Sequence, residues 1–139
     1  KMGIHKDEEK ELKIIAGKFE NAEGPVKGHN VDPIYFDVKL KKDKEFFLNF
    51  PTTHNTFIYL INGEIKIGTK NHDQVKDSNL ILLEKGEDLN VRAKSKSKFL
   101  LISGKPINEE IARGGPFVMN TKAEILQAVQ DYHNGTFVK

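Results

Sequence analysis

Apolar and polar residues alternate in short runs along the chain up to Ser103. The pattern is clearest at residues 34–41, where Ile34, Phe36, Val38 and Leu40 are separated by polar or aromatic residues. A two-residue period is that of a β-strand with one buried face. Runs of this kind predict strands at 12–17, 34–41, 45–49, 55–61, 64–68, 79–83, 88–93 and 98–103. Short strands separated by turn residues are typical of a β-sandwich or β-barrel.

An Asn-Gly pair, Asn62-Gly63, joins the apolar run 57–61 to the alternating run 64–67. Both residue types tolerate the positive φ of a type I′ turn, and such a pair between two strand-like runs is a strong hairpin signal. The pattern therefore predicts a β-hairpin within residues 51–68.

Three predicted strands, at 57–61, 80–83 and 99–102, are apolar on both faces. A barrel covers only the inner face of its strands, so the outer face of these strands needs a second layer. We expect a terminal helix to cover part of it and another subunit or a neighbouring domain to cover the rest.

The last part of the chain changes to a helical period. Thr121 and Glu124 have the spacing of a capping box, apolar residues follow at helical spacing to Tyr132, and Asn134-Gly135 is a stop signal. One amphipathic helix is therefore predicted at the carboxy terminus, with His133 in its last turn, where a positive charge complements the helix dipole. Gly114-Gly115-Pro116 is interpreted as a turn leading into an extended segment, because Pro116 removes a backbone donor that a phosphate loop would need.

Composition narrows the function classes. The chain has 139 residues, 37% hydrophobic and 30% charged, with a formal net charge of +2, which suits a single ordinary globular domain. The lack of cysteine excludes disulfides, thiolate metal sites and a cysteine nucleophile. No apolar run approaches the length of a membrane span, and we expect a cytoplasmic protein without membrane contact. Residues 1–11 are mostly charged and are predicted to be an arm or linker, ahead of a domain at 12–139.

Two lysine-rich stretches, at 39–44 and 94–98, could contact phosphates. Acidic residues dilute the first stretch, serines alternate with lysines in the second, and aromatic residues for base stacking are lacking beside them. We therefore predict solvated turns and no nucleic-acid contact.

The segment 51–68 resembles the first signature of the cupin superfamily, in which a His-x-His pair and a Glu precede a strand that ends in a glycine turn. With Gly63 on that glycine, Thr56 occupies the position of the Glu ligand, and residues 49–52 offer no histidine. In the second signature, Leu89 replaces the histidine ligand. Transition metals in proteins need about three or more converging imidazole, thiolate or carboxylate donors. His54, Thr56 and Leu89 are the candidate residues at the barrel mouth, and we predict neither a catalytic residue nor a metal ligand among them.

A closer resemblance, over about residues 10–138, is to the carboxy-terminal cupin of the pirin family. It is carried by residues 100–107, by Gly-Pro-Phe-Val-Met-Asn-Thr at 115–121, and by the following helix that ends in Asp-Tyr-His-Asn-Gly at 131–135. The resemblance implies an all-β, cupin-type antiparallel β-barrel (a double-stranded β-helix, or jelly roll) with a C-terminal amphipathic helix. Lys1-Met2 and the charged segment after it are similar to the inter-domain linker of the family, which implies a fragment or a stand-alone half.

Pirins consist of two packed cupin barrels. The resemblance implies that metal, generally iron, and quercetin dioxygenase activity belong to the amino-terminal barrel, together with a surface used in transcriptional co-regulation. The ligand residues of that barrel have no matching positions here. We therefore expect no cofactor in this chain, and iron only in an amino-terminal cupin partner.

Two hypotheses result. The first is a metal-free, non-catalytic cupin domain that acts as the structural and interaction half of a pirin-like protein and binds an amino-terminal cupin half or self-associates. The second is a quercetin-dioxygenase-type enzyme, or a small-ligand-binding cupin, that uses the barrel interior. The fold alone does not decide between them.

Overall fold

A computed structural model describes residues 2–27, 30–68 and 73–138. Within them lie fourteen β-strands and one α-helix. In chain order these are β1 (Gly3–Lys6), β2 (Lys10–Ala16), β3 (Lys18–Phe19), β4 (Ala22–Glu23), β5 (Ile34–Leu40), β6 (Glu45–Asn49), β7 (Asn55–Asn62), β8 (Glu64–Ile67), β9 (Asp73–Lys76), β10 (Asn79–Leu82), β11 (Asp88–Ala93), β12 (Ser97–Gly104), β13 (Ala112–Gly114), β14 (Phe117–Met119) and α1 (Lys122–Asn134).

The chain forms two compact units, Lys1–Pro106 and Ile107–Lys139. The first unit contains a six-stranded sheet in the order β1-β2-β5-β12-β7-β10 and a four-stranded sheet in the order β6-β11-β8-β9. All the pairs in both sheets are antiparallel. The predicted all-β cupin-type architecture is confirmed.

The core of the first unit is built from the inward faces of both sheets. Phe36, Val38 and Leu40 of β5 are buried, as their alternation predicts. The other main contributors are Leu12, Ile14, Ile58, Leu60, Phe99 and Leu101 from the six-stranded sheet, and Phe46, Ile65, Leu89, Val91 and Ala93 from the four-stranded sheet. Burial of apolar side chains from both sheets is the main stabilising contribution to such a sandwich.

Aromatic rings connect the two sheets. Phe46 of the four-stranded sheet stacks on Phe19 with ring centroids 5.7 Å apart. It also meets Phe99 of the six-stranded sheet edge to face at 5.9 Å. Phe19 in turn contacts Phe36 at 6.1 Å. These offset and edge-to-face arrangements are the favourable geometries for aromatic pairs.

The prediction of a β-hairpin at Asn62-Gly63 is wrong. β7 pairs with β12 and β10, whereas β8 pairs with β11 and β9 in the other sheet. A type I′ turn needs a positive φ at both central residues, and of these two only Gly63 has one, at 97°. The pair is instead a corner at which the chain passes from one sheet to the other. A glycine is required there because a Cβ on Gly63 would lie 2.4 Å from the Ser97 hydroxyl and 2.7 Å from the Lys96 carbonyl oxygen.

Residues 3–11 of the segment predicted as a charged arm or linker, 1–11, are ordered, because β1 and β2 form an antiparallel pair at the edge of the six-stranded sheet. The Asp7 carboxylate accepts hydrogen bonds from the backbone N–H groups of Glu9 (2.7 Å) and Lys10 (2.8 Å), which fixes the turn between the strands. Glu11 accepts a 2.9 Å hydrogen bond from Lys39 of β5. The Lys39 ammonium holds the pKa of Glu11 below its usual value. The charges are therefore paired within an ordered sheet, and composition alone was a poor guide.

The second unit contains the antiparallel pair β13–β14 and the helix α1. Gly115-Pro116 forms the turn between these strands, in agreement with the predicted turn. The predicted capping box is present: the Thr121 hydroxyl accepts from Glu124 N–H (3.2 Å), and Glu124 accepts from Thr121 N–H (2.7 Å). Gly135 ends the helix in the left-handed conformation at φ 70°. Whether α1 covers an outer sheet face stays a prediction.

A test of the sheet corner is Gly63→Ala. We expect it to lower the free energy of unfolding by about 1–3 kcal/mol, because it combines an unfavourable positive φ with contacts to Lys96 and Ser97. Gly86→Ala is the matched control, since a Cβ at Gly86 meets nothing within 4 Å. Urea melts of both variants measure the difference, and equal midpoints would contradict the corner geometry.

A test of the helix cap is Thr121→Ala, which removes the hydroxyl that both accepts from and donates to Glu124. We expect a loss of about 1 kcal/mol in helix stability, seen as faster amide exchange in α1, whereas Thr121→Ser preserves the protection.

The same cap predicts a pH dependence. The hydrogen bonds from Thr121 hold the pKa of Glu124 below its ordinary value. The cap therefore contributes fully above that ordinary value and is lost as the pH falls through the depressed pKa. A carboxyl NMR titration should show the Glu124 pKa rising towards the ordinary value in Thr121→Ala, and an unchanged pKa would contradict the assignment.

Candidate functional site

A buried polar cluster lies on the inward face of the six-stranded sheet, where a cupin metal centre would be expected. Ser103 of β12 lies opposite Thr56 of β7, and their hydroxyl oxygens are 2.7 Å apart. The same Ser103 oxygen is 3.2 Å from Nδ1 of His54. The three side chains, which we call the mouth cluster, are 5% (His54), 5% (Thr56) and 2% (Ser103) exposed.

The structure brings together two of the three predicted candidates, His54 and Thr56. The third, Leu89, is 3% exposed and belongs to the apolar core as a residue of β11, opposite Leu48 of β6. Its role is packing. Ser103 was missed from the sequence, although it continues the inward alternation of Phe99 and Leu101, and only the register of β12 against β7 places it beside Thr56.

The mouth cluster is held together by hydrogen bonds. It contains one imidazole and two hydroxyl groups, whereas zinc and iron sites use about three or more imidazole, thiolate or carboxylate ligands. Within residues 2–27, 30–68 and 73–138, no group of three or more such side chains is placed to hold a metal ion. The ring nitrogen that faces Ser103 can donate or accept, so the direction of the chain His54–Ser103–Thr56 depends on the tautomer of the imidazole.

His54 also lines an open cleft of about 460 Å³ beside the mouth cluster. Pro33, Ile34 and Pro51 form apolar walls, and Asp32 and the ion pair between Lys27 and Glu23 (2.9 Å) add charge. The volume lies within the range of about 300–1,000 Å³ usual for small-molecule sites.

The other histidines lie elsewhere. His5, predicted in an arm, is in β1, where its ring meets Phe19 edge to face at 5.0 Å and its nitrogens lie 3.2 Å from Asp7 and from Glu20. His133 is in the last turn of α1, as predicted. His29 and His72 were interpreted as loop residues and lie outside the described residues.

The outward face of the six-stranded sheet carries an apolar surface. The register aligns Ile102, Phe57 and Leu82 in one row across β12, β7 and β10, and Leu100, Tyr59 and Leu80 in the next. We call these six residues the outer patch. Its β10 edge is the most exposed part, at 58% for Leu80 and 76% for Leu82. The prediction that these strands are apolar on both faces is confirmed.

Asp37 of β5 continues the second row beside Leu100. Its Oδ2 lies 3.4 Å from the Lys98 ammonium, but its Oδ1 is buried without a hydrogen-bond partner in the described part of the chain. An unpaired buried carboxylate oxygen is unfavourable. The border of the outer patch therefore carries a charged pair, Asp37 with Lys98, one oxygen of which is buried.

The lysine-rich stretches are partly neutralised. Lys39 pairs with Glu11, Lys44 with Glu9 and Lys98 with Asp37. Such pairing reduces the positive potential available to phosphates, and the absence of nucleic-acid contact stays a prediction. In the part of the chain that the structure describes, no helix is long and apolar enough to span a membrane.

The antiparallel sandwich, with a cluster of side chains at the mouth between its sheets, defines the molecule as a cupin. Residues 35–138 match the family described as the Pirin C-terminal cupin domain, and the chain belongs to this family. The resemblance that the sequence carries is thereby confirmed.

Similarity to individual proteins supports the same family assignment. A pirin-like protein of Solanum lycopersicum is 42% identical over 104 residues, covering 73% of this chain and 36% of that protein. A pirin-like protein of Caulobacter vibrioides is 32% identical over 127 residues, covering 91% of this chain and 45% of that protein. A crystal structure of quercetin 2,3-dioxygenase from Acinetobacter baumannii matches with a TM-score of 0.83 and 34% identity, covering 97% of this chain and 46% of that one. The chain spans less than half the length of each of these relatives.

Proposed function

We propose that this chain is the structural and interaction half of a pirin-like protein and that it neither binds a metal nor carries catalysis. One observation carries the proposal: the side chains at two positions of the cupin ligand signatures are a hydroxyl and a hydrocarbon. Thr56 is hydrogen-bonded to Ser103, and Leu89 is packed in the core. Neither side chain can supply the imidazole or carboxylate that iron chemistry needs.

The partner we propose is an amino-terminal cupin half. The relatives have room for such a half, because this chain covers 36% and 45% of the two pirin-like proteins. The outer patch supplies a surface for it, with large apolar side chains at the centre and the ion pair between Asp37 and Lys98 at the border. An apolar centre with a polar rim is the usual anatomy of a stable protein interface. In this proposal iron belongs to the partner half alone.

A second candidate function is an enzyme of the quercetin dioxygenase type, or a small-ligand-binding cupin. It is favoured by the likeness to the Acinetobacter baumannii quercetin 2,3-dioxygenase and by the cleft at His54. The enzyme version requires a metal at the mouth cluster, whereas the ligand-binding version does not. Measuring the metal content therefore distinguishes the enzyme from both the ligand-binding cupin and the structural and interaction half.

The metal test uses the purified chain after dialysis against iron, nickel or manganese. We expect clearly substoichiometric metal by elemental analysis and no oxidation of quercetin, because the mouth cluster has only one imidazole. His54→Ala is the control, and its metal content should equal that of the wild type. One equivalent of metal that survives a chelator and disappears in His54→Ala would contradict the proposal.

The partner test uses light scattering over a dilution series, followed by titration with the amino-terminal cupin half of a pirin-like relative. We expect binding to that half, and Leu82→Asp should weaken it at least tenfold because a carboxylate at the patch must be desolvated. Ile4→Asp is the control, since Ile4 is 60% exposed on β1 at the opposite edge of the same sheet.

Three outcomes of this test have distinct meanings. Equal loss in Leu82→Asp and Ile4→Asp would contradict the assignment of the outer patch. A stable dimer that Leu82→Asp dissociates would assign the patch to a second copy of the chain. A chain that stays monomeric at all concentrations and does not bind the amino-terminal half would overturn the interaction proposal.

A further inference from the structure

The cleft beside His54 contains a polar group that the fold does not use. The His54 side chain is 5% exposed, and its ring bonds inward through Nδ1 to the Ser103 hydroxyl. The other ring nitrogen, Nε2, has no hydrogen-bond partner among the residues that the structure describes, while the residue itself lines the cleft. A buried imidazole with one free nitrogen is well placed to bind a ligand.

The hydroxyl pair behind His54 accommodates an acceptor at the cleft. When Nδ1–H donates to Ser103, the Ser103 hydroxyl can donate onward to Thr56, which lies 2.7 Å away. In that tautomer Nε2 keeps its lone pair and accepts a hydrogen bond. A ligand with N–H donors at the cleft would select this tautomer.

The charges of the cleft favour the same kind of ligand. Lys27 and Glu23 neutralise each other through a 2.9 Å ion pair. Asp32, an exposed residue that also lines the cleft, has no partner in the described part of the chain, so the described lining residues sum to one negative charge. A carboxylate at an open cleft attracts cations and repels anions, less strongly than one shielded from solvent.

The apolar residues that line the cleft determine the shape of ligand it can hold. Pro33, Ile34 and Pro51 present flat, apolar surfaces around about 460 Å³ of open space. Proline and isoleucine faces pack well against a planar ring, and polar groups that are few and convergent fix its orientation. The cleft is therefore matched to a small molecule with a ring-shaped apolar body and a compact polar head.

We propose that this cleft is a binding site for a small organic cation of the aromatic amidine or amine class. Its ring lies between Pro33 and Pro51, one N–H donates to His54 Nε2, and the cationic head faces the Asp32 carboxylate. The site requires no metal and is independent of the outer patch. No residue that lines the cleft belongs to the outer patch.

The test uses three probes of nearly equal shape and different charge: benzamidine, benzamide and benzoate. Binding to the full chain is followed by NMR through the ring signals of His54, and affinities are taken from the titration. We expect benzamidine to shift the His54 signals most strongly, benzamide to bind at least about tenfold more weakly, and benzoate not to bind. Benzoate binding as tightly as benzamidine would overturn the charge assignment, and His54 signals that do not move with benzamidine would overturn the site.

Two pairs of variants separate recognition from folding. Asp32→Asn keeps a residue type that tolerates the positive φ of 42° found there, and Asp43→Asn is its control at another aspartate with positive φ, 62°, outside the cleft. We expect Asp32→Asn to weaken benzamidine binding about tenfold and Asp43→Asn to leave it unchanged. Ser103→Ala should weaken binding while the neighbouring Thr53→Ala does not. Equal effects within either pair would contradict the assigned contact.

Discussion

Strand β12 is paired on both sides, with β5 and with β7, and the features of the first compact unit depend on the register of this pairing. Its inward side chains supply Phe99 and Leu101 to the core and Ser103 to the mouth cluster, while Leu100 and Ile102 form part of the outer patch. Successive side chains of a strand point to opposite faces, so a slip of one residue would exchange the two sets. The burial of Phe99 against Phe46 makes such a slip unfavourable.

The mouth cluster shows how strand geometry, and not residue type, decides where a side chain lies in the barrel. The inward direction of Thr56 is set by β7, whatever residue stands there, and the same strand geometry would aim a carboxylate into the barrel. With a hydroxyl at this position, the polar requirement is met by Ser103 and His54. Hydrogen bonds between side chains of neighbouring elements thus satisfy the buried Thr56 hydroxyl.

The sequence was a good guide where structure depends on neighbouring residues. The alternation of Phe36, Val38 and Leu40 predicts the buried face of β5, and the Thr121–Glu124 spacing predicts the start of α1, because a capping box involves residues three apart. The family resemblance likewise rests on continuous motifs.

Sequence was a poor guide where structure depends on distant residues. Asn62-Gly63 has the residue types of a hairpin turn, but β7 and β8 pair with strands of different sheets. Gly63 is required because a Cβ at this position would collide with Ser97. Residues 3–11 are ordered by the pairing of β1 with β2 and of β2 with β5, where Glu11 meets Lys39, 28 positions further along the chain. Ser103 joins the mouth cluster only through strand register. In each case the contact that decides the structure joins residues far apart in the sequence, so a pattern of neighbouring residues does not predict it.

Strand β10 ends the six-stranded sheet, and its outward side chains are two of the most exposed leucines of the first unit. A sheet edge with unpaired backbone groups is a template for the addition of another strand, and natural proteins usually protect such an edge with charge or a short length. Here the edge is short but uncharged at Leu80 and Leu82. Two exposed leucines at this edge therefore favour association of the chain through β10, and a lysine at position 80 or 82 is the substitution that would oppose it.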